Sequence, residues 1–249
     1  MSRRAVVILM ALLFAFTVVL RAPAGWLLGA LPAGVECHSA EGSLWQGSCA
    51  RLQIPGAALD GVSWKLHAGP LLLGHLDVDL QSTDAQATGT ARVSLGFGGL
   101  RSLRMLRAAL PIDSGRLPLF PAGWTGRLEL DFDAIEFDAG RITQIAGAAT
   151  AHELAQRNPP LPFGSYELRF APAEPQHGAA DAPIRGELRD LGGPLAVNGA
   201  LTIRNGHDYV LSGQVAPRAA ASADLGKLVE FLGAPDAQGR RTFTLEGSF

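Results

Sequence analysis

The chain has 249 residues, 47% hydrophobic and 18% charged, enough apolar side chain for a real core and unlike a disordered chain. The formal net charge is −2, with 23 acidic against 21 basic residues, so nothing invites nucleic acid, which would want a basic face. Thirty glycines and sixteen prolines, with the alternations below, favour many short strands joined by tight turns.

The first element is the sixteen-residue stretch Ala5–Leu20, which contains no charge and one weakly polar residue, Thr17. As a helix it is about 24 Å long, slightly short of a hydrocarbon core of about 30 Å. Arg3, Arg4 and Arg21 flank it, and their long side chains can snorkel to make up the difference. Trp26 stands where an interfacial aromatic would, and the basic short flank puts the N-terminus in the cytoplasm. Two readings fit. In one the stretch is a retained anchor; in the other it is a secretory signal cleaved at Ala22-Pro23-Ala24. Both export the rest of the chain. The expected organisation is a cytoplasmic tail 1–4, a transmembrane anchor 5–24 and a periplasmic β-rich domain 25–249.

After the leader the only cysteines are Cys37 and Cys49. An even count in an exported chain suggests a disulfide. If a hairpin is centred on Ser43, positions 37 and 49 stand opposite each other, and closing that loop contributes about 3 kcal/mol in the chain-entropy model. Two free buried thiols are the alternative. A metal site is disfavoured because only His38 lies nearby.

Strands follow. Val62, Trp64 and Leu66 alternate with polar residues, as do Leu76, Val78 and Leu80, and then Ala91, Val93 and Leu95. Leu100, Leu103, Leu106 and Leu110 then recur at helical spacing with Arg101, Arg104 and Arg107 opposite and Pro111 as a stop. This predicts a short basic amphipathic helix, packed on the sheet by its leucines or touching anionic headgroups or an acidic partner. The Pro- and Gly-rich stretch 111–123 is a candidate boundary between halves 34–110 and 124–249.

Beyond it, Leu128, Leu130 and Phe132 alternate with Glu129, Asp131 and Asp133; the phase then slips to Ile135 and Phe137, which predicts a bulge near Ala134. Further strands run through Tyr166–Phe170, 184–189, Leu195–Ile203, Tyr209–Val215 and Phe243–Phe249, with a hairpin turn at Asn205-Gly206. Leu225, Leu228, Val229 and Leu232 predict a second short helix behind an Asp224 cap. Gly199, Gly213 and Gly247 occupy core-facing strand positions and suggest bends. The expected fold is mainly β: strongly curved antiparallel sheet or sheets in a meander, two short amphipathic helices, and one N-terminal transmembrane helix.

The sequence offers little for catalysis. It has no Gly-x-Ser-x-Gly elbow, phosphate-binding loop or dinucleotide fingerprint, and its six histidines are scattered. The acidic run Glu129, Asp131, Asp133, Glu136 and Asp138 lacks the loop geometry of a calcium site and reads as a charged outer face. No catalytic, cofactor-binding or metal-binding residue is nominated; the one nominated pair is the disulfide Cys37–Cys49.

Several motifs, in order, carry a resemblance: Glu41-Gly42-Ser43-Leu44-Trp45-Gln46-Gly47, Val62-Ser63-Trp64-Lys65-Leu66, Gly69-Pro70-Leu71-Leu72-Leu73-Gly74, Gly126-Arg127-Leu128-Glu129-Leu130, Gly192-Gly193-Pro194-Leu195 and Tyr209-Val210-Leu211-Ser212-Gly213. With the N-terminal apolar stretch and the closing Leu232-Gly233-Ala234-Pro235-Asp236, the chain resembles the type II (general) secretion system protein N family over nearly its whole length. The resemblance implies a non-enzymatic, single-pass inner-membrane subunit of a Gram-negative envelope with a periplasmic C-terminal domain. It would assist export of folded periplasmic proteins. Its implied partners are other secretion subunits (the inner-membrane platform or the secretin), and membrane lipid through the helix. It implies no catalytic residues, and the two cysteines gain no support from it. A periplasmic lipid-binding or transfer protein of AsmA-like architecture is the alternative, resting on fold analogy.

Overall fold

The computed structural model describes residues 3–29, 34–54, 57–84, 86–96, 99–113, 117, 120, 122–171 and 182–248. Helix α1 (Arg3–Leu20) and a single turn α2 (Gly25–Leu28) come first. Strands β1 (Glu36–Gly42), β2 (Gln46–Ile54) and β3 (Ala57–His67) follow, then a 3-10 turn (Gly69–Leu73). The chain continues through β4 (His75–Thr83), β5 (Thr88–Gly96), β6 (Gly99–Pro111), β7 (Trp124–Asp138), β8 (Arg141–Gln156), β9 (Leu161–Phe170), β10 (Ile184–Asp190), β11 (Leu195–Arg204) and β12 (Asp208–Pro217). Helix α3 (Ala223–Glu230) precedes the last described strand, β13 (Arg241–Ser248). Among the described residues the thirteen strands form one antiparallel sheet in strict chain order. The meander expected from the alternations is therefore continuous, and β6 and β7 pair directly from Ser102↔Glu136 to Pro111↔Arg127.

The first predicted amphipathic helix is instead strand β6. Against β5, two register shifts each insert one extra residue into β6, between the pairs Thr90↔Arg107 and Arg92↔Arg104 and between Ser94↔Ser102 and Leu95↔Leu100. Met105, at φ 50°, sits in the first. A strand keeps residues i and i+2 on one face, so an inserted residue turns a spacing of three into a same-face pair. Leu100 lies opposite Leu95 and Leu103 opposite Val93, while Leu106 lies opposite Phe132 and Leu110 opposite Leu128. Helix-like spacing here is the product of bulges. The bulge expected near Ala134 is there as well, a register shift between Phe132 and Ala134.

The second predicted helix is α3. Its cap is Ser222, whose hydroxyl accepts from the Leu225 amide at 3.2 Å, and Asp224 lies inside the first turn. Leu225 and Val229 are buried against Leu195 and Val215, with Val197 and Phe243 beside them. Elsewhere Ile112 and Leu117 from the 111–123 connection bury against Ala87 and Leu110. Phe132, Ile145, Phe170 and Ile203 form the largest cluster of the apolar face.

Strong curvature, expected from the core-facing glycines, is not supported. For two of the three, Gly213 and Gly247, the cross-strand neighbours give a different account. Gly213 lies opposite Phe243 and Gly247 opposite Tyr209. A Cβ on Gly213 would stand 2.8 Å from Phe243 Cζ, and one on Gly247 2.5 Å from the Tyr209 hydroxyl. Gly47 with Trp64, Gly147 with Phe132 and Gly186 with Phe170 repeat the pattern. These glycines are slots that seat a ring from the adjacent strand.

Helix α1 occupies the stretch expected as the anchor. Among the described residues no helix is long and apolar enough to cross a membrane. The fold thus supplies the helix and its exposed apolar side chains, Phe14 at 71% among them, but not the crossing itself.

Candidate functional site at the helix–sheet junction

The residues that carried the two tryptophan motifs meet where α1 joins the sheet. The last carbonyls of a helix have no intrahelical partner. Here the Trp45 indole Nε1 donates to the Val19 carbonyl at 2.8 Å, across 26 positions of sequence. The Leu44 amide donates to the Ala22 carbonyl at 2.8 Å, the Ala24 amide donates to Gly42 at 3.1 Å, and Pro23 forms a β-bridge with Ser43. Ala22 and Ala24 are 1% and 2% exposed, so these small side chains allow the two backbones to close up. Ala22-Pro23-Ala24, read from sequence as a possible cleavage triplet, is thus built into the joint.

The second tryptophan fixes the turn from behind. Trp64 Nε1 donates to the Leu44 carbonyl at 3.2 Å, and a Cβ on Gly47 would stand 2.5 Å from Trp64 Cζ2. The Leu66 amide donates to the Trp45 carbonyl at 2.8 Å. The three segments 19–24, 42–47 and 64–66 are thereby cross-linked by directional bonds. The motifs made both tryptophans visible in the sequence, but only the sheet register shows which partner each one reaches.

Cys37 and Cys49 are joined by a disulfide with their Cα atoms 5.8 Å apart. The hairpin register differs from the expected one: Cys37 lies opposite Leu52 and Cys49 opposite Ala40. Cys49 is 2% exposed and shares a core with Ala24, Trp64 and Leu66, so the covalent link and the tryptophan joint belong to one cluster.

An open concavity of about 990 Å³ runs over the polar side of this end, lined in part by Glu41, Gln46, Lys65, Asp79, Gln81 and Arg92. Two of its charges, Asp79 and Arg92, are paired with each other. Asp79 accepts from Arg92 Nε at 2.7 Å and lies 2.7 Å from His67 Nε2. The Arg92 guanidinium, helped by His67, holds the Asp79 carboxyl down at about 2. Four of the five acidic residues of the β7 run are paired in the same manner. Arg107 reaches Asp131 at 2.7 Å and Asp133 at 2.8 Å, Arg104 reaches Glu136 at 3.4 Å, and Arg127 and His152 lie at 3.5 and 3.2 Å from Glu129. Two of the three arginines expected as the polar stripe of a helix, Arg104 and Arg107, are cross-strand counter-ions. Further along, buried Glu167 bridges Arg169, at 2.7 Å, and Arg189, at 2.5 Å; the guanidinium of Arg169, then that of Arg189, holds its carboxyl below the usual range. Among the described residues no group of three or more His, Cys, Asp or Glu side chains is placed to hold a metal ion.

The family model of type II secretion system protein N matches residues 33–244. The chain is 28% identical over 223 residues to the type II secretion system protein N of Vibrio cholerae, covering 87% of this chain and 86% of that protein. It is 26% identical over 220 residues to the protein of the same name from Aeromonas hydrophila, covering 86% and 84%. It is 25% identical over 225 residues to that of Pectobacterium carotovorum, covering 87% and 85%. No solved structure matches the chain at a significant level.

Proposed function

The chain belongs to the type II secretion system protein N family, and from that premise we propose that it is a non-enzymatic subunit of the secretion machine, held in the inner membrane by α1 with its β-rich body in the periplasm. Residues 1–4 form the cytoplasmic tail, 5–24 the anchor and 25–249 the periplasmic body. The carrying observation is the joint: the Trp45 indole closes the last turn of α1, and Ala22 and Ala24 are buried against the β1–β2 turn. A segment destined for removal has no reason to be packed into the core of the mature protein. Among the described residues, nine large apolar side chains of α1 are exposed, Val7, Met10 and Phe14 among them, and they are costly in water and favourable in hydrocarbon. The disulfide Cys37–Cys49 suits the oxidising periplasm and braces the same joint.

In this reading α1 and the sheet act as one tethered scaffold that presents the sheet to neighbouring subunits, the inner-membrane platform or the secretin. A lipid carrier would need an uncovered apolar face. The described face is instead organised into four clusters, each with buried side chains, which favours the scaffold. The test is crosslinking in intact cells followed by purification through a tag on this chain. Enrichment of platform or secretin subunits is expected; their absence from the crosslinked material would overturn the assignment.

A further inference from the structure

The 3-10 turn Gly69–Leu73 leaves the sheet at the end where α1 joins it. Trp45 links the two: its indole binds Val19 at the end of α1, and its carbonyl accepts the Leu66 amide one residue before β3 ends. The turn then returns to β4, whose Asp77 lies opposite His67. Neighbouring strands are about 5 Å apart, so the turn projects within one or two strand widths of the helix.

Its chemistry is unusual for a water-facing turn. Ala68–Gly74 contains no charge and no side-chain hydrogen-bond donor. Leu71 and Leu73 are nevertheless exposed, Leu73 at 78%. The backbone is held locally: the Leu71 amide donates to Ala68, and the Gly74 amide, in the left-handed region, donates to Leu71 at 3.1 Å. A turn that meets part of its own backbone demand can enter an apolar interface at lower cost than an open loop. Two further exposed apolar residues share this end, Trp26 on α2 and Leu100 beside the β5–β6 turn.

We infer that the Gly69–Leu73 turn is a membrane-contact point, with Leu71 and Leu73 seated at the boundary between headgroups and acyl chains of the bilayer that holds α1. The inference rests on the anchor reading above. It adds an orientation: with a second contact beside the tether, the first strands stand end-on to the membrane. The occupant is a lipid surface because the exposed side chains are aliphatic, uncharged and adjacent to the apolar helix.

The full-length chain reconstituted in phosphatidylethanolamine–phosphatidylglycerol vesicles tests it. A single cysteine is introduced as Leu73→Cys, or as Thr88→Cys at the opposite end of the same strands, roughly 25 Å away. Each is labelled with an environment-sensitive fluorophore, the native pair being engaged in the disulfide. Vesicles carrying shallowly brominated acyl chains should quench the probe at position 73 several-fold more than at 88, and its emission should be blue-shifted. Equal, water-like emission and quenching at both positions, in vesicles from which alkaline carbonate does not release the chain, would overturn the inference and leave the anchor intact. Release by carbonate would overturn the anchor reading and the inference with it.

Discussion

At the first edge of the sheet, β1 is held to β2 by a disulfide and the adjoining turn is held to α1 by an indole hydrogen bond. At the last, β13 pairs with β12 without a register shift from Asp208↔Ser248 to Val215↔Arg241, and the rings of Phe243 and Tyr209 lie in glycine slots there, Phe243 in the cluster that α3 covers. Directional and covalent links resist being turned; packed rings resist compression but transmit little orientation. The contrast suits a body that receives its position from one end. The helix end is built as a joint, and the far end is held by packing.

The largest effect should come from the covalent link. Replacing Cys37 and Cys49 together by Ser reopens a loop of about a dozen residues, which costs about 3 kcal/mol in the chain-entropy model. Denaturant unfolding of the oxidised parent and of the double variant should differ by that amount, and reduction of the parent should close most of the gap. Equal midpoints would remove the disulfide from the comparison.

Next is the ring-and-slot packing. Gly213→Ala places a methyl against the Asn198 carbonyl, 2.8 Å from the Gly199 Cα and 2.8 Å from the Phe243 ring. Two of these obstacles are backbone, so relaxation is limited and a loss of about 2 kcal/mol is expected. Thermal melting checks it. A neutral result would mean that the slot can open, and that the far end is looser than the comparison requires.

Trp45→Phe keeps the aromatic bulk and removes the indole donor to Val19. About 1 kcal/mol is expected, expressed locally. Amide exchange at Ala22, Ala24 and Leu44 should accelerate roughly fivefold, while β12 and β13 stay unchanged. Uniform acceleration across the sheet would mean that the joint is not a separate mechanical element.

Only part of this contrast is legible in the sequence. The alternations of β3 and β4 read directly, because one residue in two faces the core. Strand β6 did not, since its two inserted residues convert strand spacing into helix spacing and the inserting partner lies on another strand. The Gly213–Phe243 and Gly247–Tyr209 pairings were equally hidden. A glycine in a strand reads as a bend until its cross-strand neighbour is known to be a ring. At the joint, the cysteines were legible by count, but their register was displaced: Cys37 faces Leu52. Trp45 stood out within its motif, yet its partner is the main-chain carbonyl of Val19, a group every residue has. Sequence pattern reports faces and turns; it does not report which carbonyl an indole finds.

The smallest effect at neutral pH comes from the ion pairs of the sheet, where Asp79 beside the joint contrasts with Glu167 in mid-sheet. The Asp79 carboxylate is about a third exposed, whereas Glu167 between Arg169 and Arg189 is only 8% exposed. Both carboxyls titrate below their usual range in the folded chain. For such a group the stabilisation is fully present above the unfolded value and is lost as pH falls through the folded one. Asp79, held at about 2 by Arg92, therefore loses its contribution between about pH 4 and pH 2. Asp79→Asn should cost less than about 1 kcal/mol at pH 7, as exposed pairs do. The Asn variant should also lose less stability than the parent as pH is lowered over that window. Glu167→Gln should cost more at pH 7, about 2 kcal/mol, because a nearly buried group loses two charge-assisted bonds. Parallel stability–pH curves for parent and Asp79→Asn would show that the Arg92 pair contributes nothing to the folded state, and that the polar side of the joint is held by its backbone alone.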